Sequence, residues 1–239
     1  MECLISDDTG ADEETPCARN PAFAPGSRRI AYELEGRLVV GGLKQSQRTR
    51  LKQLTDHDSD PAWDPKGQRL FFEGRRSGKR GIYTVRSDGT DLSGPLAPGG
   101  APAVSSRGRV AYVAGGFIRA LDPRSGSRRK LARGNYPDWS PSGRSIVFQR
   151  RSATYVVSGS RRKPPRLLLR SARRAVYSPN GKSIAFLRVA RGDGGGRYSH
   201  YSVFAARLNG SNRRILWRGG EVDTGSEFNS YREIAWGGR

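Results

Sequence analysis

The chain has 239 residues, with 43 basic and 22 acidic side chains, so its formal net charge at neutral pH is +21. Hydrophobic residues make up 35% of it, and it contains no run of about 18 or more apolar residues, which excludes a helix that spans a membrane. The 31 glycines and 14 prolines, without a sustained 3.6-residue apolar period, predict an all-β fold with many turns.

Residues 1–17 carry six acidic side chains and no basic one. Residues 3–10 have the pattern of a β-strand followed by a hairpin turn, so we interpret them as part of a sheet and not as a tail. Cys3 and Cys17 are the only cysteines, and the pattern leaves open whether they form a disulfide or stay as two free thiols. No basic and then apolar segment of the kind that directs export is visible at the start.

The clearest local signal is a β-hairpin between residues 60 and 73. The segment Asp64-Pro65-Lys66-Gly67 has the chemistry of a type I turn, with a side-chain acceptor first, proline second and glycine fourth. Trp63 offers a large apolar anchor before the turn, and Leu70-Phe71-Phe72 is a short apolar run typical of a strand after it.

This hairpin recurs along the chain at a nearly constant period. The other copies are residues 23–32, 139–148 and 177–186, with a weaker copy at 104–112. The first aliphatic residues of the second strands fall at 30, 70, 110, 146 and 184, which is a period of 36 to 40 residues. After each copy come a third strand, often ended by an Asp-Gly or Asn-Gly turn, and a short basic and aliphatic fourth strand. The sequence therefore predicts a single domain over residues 1–239, built from repeats of four strands.

The two ends of the chain complement each other. Residues 228–236 have the pattern of a degraded first hairpin, and the beginning of the chain supplies the two strands that such a hairpin lacks. We therefore predict a six-bladed β-propeller with four-stranded antiparallel blades, in which the last blade is shared between the N- and C-termini and no sheet edge stays free. An alternative alignment places Trp236 on the first strand and leaves the closing blade one strand short; the count is six in both.

The basic charge has two explanations that the sequence leaves open. Of the 43 basic residues only seven are lysine, and an arginine excess is typical both of a generally basic surface and of a site for a polyanion. In antiparallel blades the turns alternate between the two faces. Arginine pairs at 28–29, 128–129, 161–162 and 213–214 should therefore lie on one face, and those at 75–76, 150–151 and 173–174 on the other. A dedicated nucleic-acid surface should be one-sided.

Motifs of catalysis are absent from the sequence. His57 and His200 are the only histidines, and neither a Gly-x-Ser-x-Gly elbow nor a His-Glu-x-x-His metal motif is present. The alternating carboxylates of residues 55–60 lack the glycine and the distant glutamate of an EF-hand, so we expect a solvated turn there. The glycine-rich segment 191–197 has no following Gly-Lys-Ser or Gly-Lys-Thr, so we expect a surface hairpin and not a phosphate loop. We predict that the protein is not an enzyme and uses no cofactor or metal.

The repeated Pro-x-Trp/Tyr-Ser/Asp-Pro-x-Gly-x-x-Ile-x-Phe unit, followed by an Asp-Gly or Asn-Gly hairpin, resembles the WD-like repeat of TolB-type six-bladed propellers. This resemblance covers nearly the whole chain. It implies a non-enzymatic, monomeric scaffold that binds a protein partner through one face, in a periplasmic or other extracytoplasmic location. The chain departs from TolB in having no separate N-terminal α/β domain, no visible export signal and far more basic charge, so a cytoplasmic location is the alternative.

Repeat geometry nominates a binding site at the mouth of the central channel. If the loops that join successive blades line this mouth, the residue three positions before each anchor faces it. These residues are Asn20, Asp60, Tyr136 and Arg174. Two other functions stay open, namely binding of a polyanion such as nucleic acid or an acidic cell-wall polymer, and a hydrolase or lactonase whose metal is held by channel carboxylates.

Overall fold

The structure is a computed structural model that describes residues 18–160, 163–191, 198–223 and 235. These residues form five four-stranded sheets, and within each sheet the strands are antiparallel and follow their order in the chain. The predicted four-stranded repeat and the all-β class are therefore confirmed. Across the described ranges, no helix is both long and apolar enough to cross a membrane.

Each sheet is one predicted blade. Blade 1 consists of β1 (Arg19–Phe23), β2 (Arg29–Leu34), β3 (Arg37–Gly42) and β4 (Arg48–Arg50). Blade 2 consists of β5 (His57–Trp63), β6 (Arg69–Arg76), β7 (Lys79–Arg86) and β8 (Ser93–Pro98). Blade 3 consists of β9 (Gly100–Val104), β10 (Val110–Ala114), β11 (Phe117–Leu121) and β12 (Arg128–Arg133). Blade 4 consists of β13 (Asn135–Trp139), β14 (Ser145–Arg150), β15 (Ala153–Ser158) and β16 (Arg166–Leu169). Blade 5 consists of β17 (Arg173–Tyr177), β18 (Ser183–Arg191), β19 (Tyr198–Arg207) and β20 (Arg214–Asp223).

The sixth blade was predicted from the two ends of the chain. Residues 1–17 and, apart from Ala235, residues 228–236 lie outside the described residues. The described blades therefore number five, and the six-blade count stays a prediction. Cys3 and Cys17 also lie outside the described residues, so their pairing is not tested. The same holds for residues 192–197 of the predicted hairpin at 191–197.

The turn chemistry of the repeat is the same in all five blades. In blade 2, Gly67 N–H donates to Asp64 O at 3.0 Å, and the Asp64 carboxylate accepts from Gln68 N–H at 2.6 Å. Gly67 has a φ of 66°, a value that costs glycine little because it has no Cβ. Equivalent glycine-to-carbonyl bonds close the first turns of blades 3, 4 and 5, and in blade 1 the donor is Ser27 N–H, next to Gly26. The glycines are Gly26 (whose turn is closed by Ser27), Gly108, Gly143 and Gly181.

The anchor residues pack each blade against the preceding one. Trp63 and Leu70 of blade 2 contact Leu38 of blade 1, and the same arrangement places Trp139 and Ile146 of blade 4 against blade 3. Full burial of one large apolar side chain is worth about 1.5–3 kcal/mol. The repeat is therefore held together mainly by apolar surfaces between blades.

Two arginines reinforce these contacts. The Arg29 guanidinium lies 4.8 Å from the ring centroid of Trp63 in the next blade and donates to Gly67 O. Arg109 repeats this geometry, lying 4.8 Å from the Trp139 ring and donating to Gly143 O at 2.6 Å. Part of the arginine excess is thus used to join neighbouring blades.

Candidate functional site

The first strand of every described blade carries the same backbone irregularity. The register between the first and second strands shifts in all five sheets. One residue of each first strand adopts a left-handed φ between 49° and 54° although it is not glycine. These five residues form what we call the mouth ring: Asn20, Asp60, Ala101, Tyr136 and Arg174. Such a conformation is uncommon outside glycine, and in a bulge it redirects a side chain away from the regular pleat.

The first strands β1, β5, β9, β13 and β17 lie side by side around a central cavity of about 610 Å³. All five mouth-ring residues line it. Two residues further along each strand is a second layer, which we call the wall ring: Ala22, Ala62, Ala103, Asp138 and Val176. The first turns contribute prolines to the far part of the cavity. They are Pro25, Pro65, Pro141 and Pro179.

The structure thus brings together all four site residues nominated from the sequence. Ala101 is the fifth equivalent position, three residues before Val104 in the weaker repeat at 104–112. Its side chain carries no polar group. Placement in the cavity lining is what the structure shows for these residues, and partner binding by Asn20, Asp60, Tyr136 and Arg174 stays a prediction.

Acidic groups lie behind the mouth ring at blades 1 and 2. Asn20 Nδ2 donates to Glu33 Oε2 at 2.7 Å, and burial raises the pKa of this glutamate. The equivalent residue of blade 2, Glu73, is buried and accepts two bonds of 2.5 Å from Arg80. A Cβ on Gly100 would clash with this ion pair, so the close approach of blade 3 requires glycine there.

The opposite side of the mouth is cationic and aromatic. The Arg174 guanidinium lies 3.4 Å from the ring centroid of Tyr136, a cation–π geometry. The Arg174 N–H donates to Gln149 Oε1 at 3.1 Å, which fixes the backbone of the bulge against blade 4. The mouth is therefore polarised only in part: blades 1 and 2 present carboxylates with the Arg80 guanidinium beside them, and blades 4 and 5 present a guanidinium over an aromatic ring.

Asp138 is the single ionisable residue of the wall ring. Its Oδ2 accepts from the Tyr177 N–H of the next blade at 2.7 Å. Burial raises the pKa of this carboxyl to about 7, against hydrogen bonds that favour the ionised form. By surface area the side chain is only half-buried, so water in the cavity limits this rise. Asp138 does not stand out in the sequence, because its setting depends on the alanines and valine of other blades.

A second depression of about 410 Å³ lies at the same end of the molecule, between blades 3 and 4. Its lining includes the exposed side chains of Arg133, Arg150 and Arg151, together with Gly134. None of the ion pairs found in the described part of the chain involves these three arginines. Their guanidinium charges are thus available to an anion.

The segment 55–60 is less solvated than the sequence analysis expected. Asp58 is fully buried, and its carboxylate accepts from Leu54 N–H, Thr55 N–H and the Thr55 hydroxyl at 2.7–3.0 Å. Burial raises the pKa of this carboxyl. Asp58 therefore holds the entry to blade 2 in place.

Among the residues that the structure describes, no three His, Cys, Asp or Glu side chains are grouped closely enough to hold a metal ion.

No protein-family model and no curated protein sequence matches the chain. Solved structures do. A TolB-type protein from Agrobacterium tumefaciens superposes with a TM-score of 0.72 at 18% identity, over 87% of this chain and 83% of that one. The chain is a β-propeller.

The propeller is also similar to TolB from Acinetobacter baumannii, with a TM-score of 0.61 at 18% identity over 84% of this chain and 52% of that one. It is similar as well to regucalcin, a calcium-binding protein of Agrobacterium tumefaciens, with a TM-score of 0.58 at 17% identity over 86% and 75% of the two chains. At these identities the likeness concerns the fold alone, which proteins of different function share.

Proposed function

We propose that this propeller is a non-enzymatic scaffold that binds a protein partner at the mouth ring. The observation that carries the proposal is the fivefold bulge, which places side chains of different chemistry around one cavity. Prolines, alanines and valine line much of the rest of the wall, so the mouth ring is where recognition can be specific. The TolB likeness favours this function and an extracytoplasmic location. We also take the propeller to act as a monomer.

The polarised mouth defines what the partner must present. Blades 1 and 2 offer Asp60 and Asn20, and blades 4 and 5 offer Arg174 above Tyr136. A partner that meets both sides must carry complementary charges in a fixed order, since a reversed arrangement would place like charges together.

Reversal of the mouth charges tests the proposal. In the double variant Asp60→Lys with Arg174→Glu the net charge is unchanged, but the two sides of the mouth exchange their sign. Partners are captured from an extract of the source organism and identified by mass spectrometry. We expect the double variant to lose at least one partner that the wild type retains in high salt. Undiminished capture of every wild-type partner would overturn the mouth assignment.

A matched control separates recognition from general charge effects. Lys66 and Asp88 are exposed in turns at the opposite end of the molecule. The double variant Lys66→Glu with Asp88→Lys also conserves net charge and should keep all partners. If both variants lose the same protein, the loss reports a property other than the mouth.

The second depression favours polyanion binding as an alternative function. Three arginines that form no ion pair with any described carboxylate can each neutralise one anionic group, with release of counterions. Replacement of Arg133, Arg150 and Arg151 by glutamine should weaken binding to inorganic polyphosphate and lower the slope of log K against log salt by about two. The same replacement at Arg28, Arg107 and Arg124, which are exposed at the opposite end, is the control. Equal losses in both triple variants would indicate a generally basic surface.

A further inference from the structure

The wall ring of the central cavity has one carboxylate among otherwise apolar positions. Ala22, Ala62, Ala103 and Val176 occupy the same place in four blades, and Asp138 occupies it in the fifth. All five are half-buried and line the cavity, so the Asp138 side chain faces the space that the other four leave apolar.

Among the residues that the structure describes, none pairs with Asp138 as a counter-ion. Its carboxylate is held by backbone N–H groups, those of Tyr177 and Trp139. None of the ion pairs in the described ranges includes it. Arg174 lines the same cavity, but no ion pair between it and Asp138 is found in the described ranges. A carboxylate that is partly removed from water without a paired cation is costly, and it is stabilised when a ligand supplies one.

The position of Asp138 along the strand sets the size of that ligand. It lies two residues inside Tyr136, and because the strand is bulged there, this distance is at most the roughly 6–7 Å that two residues of a regular strand span. A lysine or arginine stem is about this long, and its methylene groups suit the alanines and valine of the wall ring. The cavity of about 610 Å³ has room for such a side chain.

We propose that the central cavity binds one basic side chain of the partner, inserted through the mouth ring, with its ammonium or guanidinium group on Asp138. This inference rests on the proposed function, because it names the group that the scaffold recognises. The partner backbone would meet Asp60 and Arg174 at the mouth, while the inserted side chain fills the cavity.

Nuclear magnetic resonance can test the site without the partner. The Tyr177 backbone amide is the reporter, because it donates to Asp138 Oδ2 and its shift should follow ionisation of that carboxyl. The probe is n-butylammonium, with butan-1-ol as the uncharged control of equal length and propylguanidinium to distinguish an arginine-like from a lysine-like ligand. We expect weak binding, about millimolar, as befits a ligand of few atoms.

At saturating n-butylammonium we expect the midpoint of the Asp138 titration, followed through the Tyr177 amide shift, to fall by about one pH unit or more. This corresponds to binding about tenfold tighter above the midpoint than below it. Butan-1-ol should leave the midpoint unchanged. Other titratable groups face the same space and are followed in the same spectra. They are Asp60, Asp64, Tyr136, Arg174 and Tyr177, with Glu33 behind Asn20.

Asp138→Asn keeps the shape of the side chain and an acceptor for the Tyr177 N–H, and it should abolish binding of the probe. The control is Asp122→Asn, because the Asp122 carboxylate accepts from Arg124 N–H in an exposed turn at the far end. The proposal is wrong if the wild-type midpoint does not move with n-butylammonium, a result that needs no variant to fold. It is equally wrong if Asp138→Asn binds the probe as the wild type does.

This outcome is separable from that of the scaffold proposal. Probe binding at Asp138 together with unchanged capture by the mouth double variant would uphold the cavity site and reject the mouth surface. Loss of a partner in that double variant, without any response to n-butylammonium, would reject the cavity site alone.

Discussion

Among single residues, Asp138 departs from the pattern that the other blades share at its position in the wall ring. Four blades place a small or aliphatic side chain in the wall ring, and one places a carboxyl group whose pKa burial raises to about 7. Perturbed carboxyl groups in cavities mark functional sites more often than ordinary surface residues do, although some only link structural elements. Asp138 does link blades 4 and 5, through Tyr177 N–H.

The raised pKa of Asp138 predicts how stability depends on pH. Because the folded-state pKa lies above the unfolded value, the folded protein binds more protons between about pH 4 and 7, and stability falls as the pH rises through this range. The free energy of unfolding should fall by about 1–3 kcal/mol over this range, a value reduced to allow for the partial exposure of the side chain.

Urea unfolding of the wild type and Asp138→Asn at pH 5 and pH 8 measures this effect. The variant should be the more stable protein at pH 8 and should show the smaller change between the two pH values. Glu33 and Asp58, whose pKa values are also raised by burial, contribute the same trend to both proteins and cancel in the difference. Identical pH dependence in the two proteins would contradict the assignment.

Arg109 stabilises the contact between blades 3 and 4 through Trp139 and Gly143. Arg109→Ala removes the stacking on Trp139 and leaves Gly143 O without its donor, which should cost about 1–3 kcal/mol of unfolding free energy. Arg109→Lys should recover little, because an ammonium group lacks the planar fork. Arg107→Ala, two residues away and exposed, is the control and should stay within about 0.5 kcal/mol. Equal effects at positions 107 and 109 would show that the stacked geometry contributes nothing.

At the scale of elements, the bulge of the first strand is the unit that makes the site. Each bulge turns one side chain towards the mouth, and its left-handed residue tolerates side chains as different as Ala101 and Arg174. A β-branched residue is far less compatible with this conformation, because its two γ-substituents crowd the backbone.

Ala101→Val should therefore destabilise the protein by about 1–3 kcal/mol. The matched control is Ala103→Val on the same strand, since Val176 already occupies the equivalent position in blade 5. Chemical denaturation of the two variants distinguishes backbone strain from added volume. A larger loss at position 103 would mean that the cavity, and not the bulge, limits which residues are accepted.

At the scale of the whole molecule, the predicted closure of the ring is the feature with the largest energetic consequence. Blades in a propeller are stabilised by their neighbours, so an open ring would leave one face of blades 1 and 5 without apolar contacts. The repeat pattern assigns the closing blade to residues 1–17 and 228–236.

Deletion of residues 1–17 should accordingly lower the thermal midpoint by several degrees or more and broaden the transition. Removal of residues 237–239, which follow the last predicted strand, is the comparison and should change the midpoint little. A midpoint unchanged by the first deletion would refute a blade shared between the two ends.

The repeat, the four-stranded blade, the first turn and the positions of the mouth residues all follow from the amino-acid sequence alone. These depend on contacts within one repeat, such as Asp64 with Gly67 or the fixed spacing between Asp60 and Trp63, and short-range chemistry can be read from a linear pattern. Only the tertiary structure decided which side chains from different blades meet. The ion pair of Glu73 with Arg80 against Gly100, the arginine depression and the isolation of Asp138 all depend on residues brought together by the packing of neighbouring blades. Burial and electrostatic environment are properties of that assembly, so no single repeat contains them.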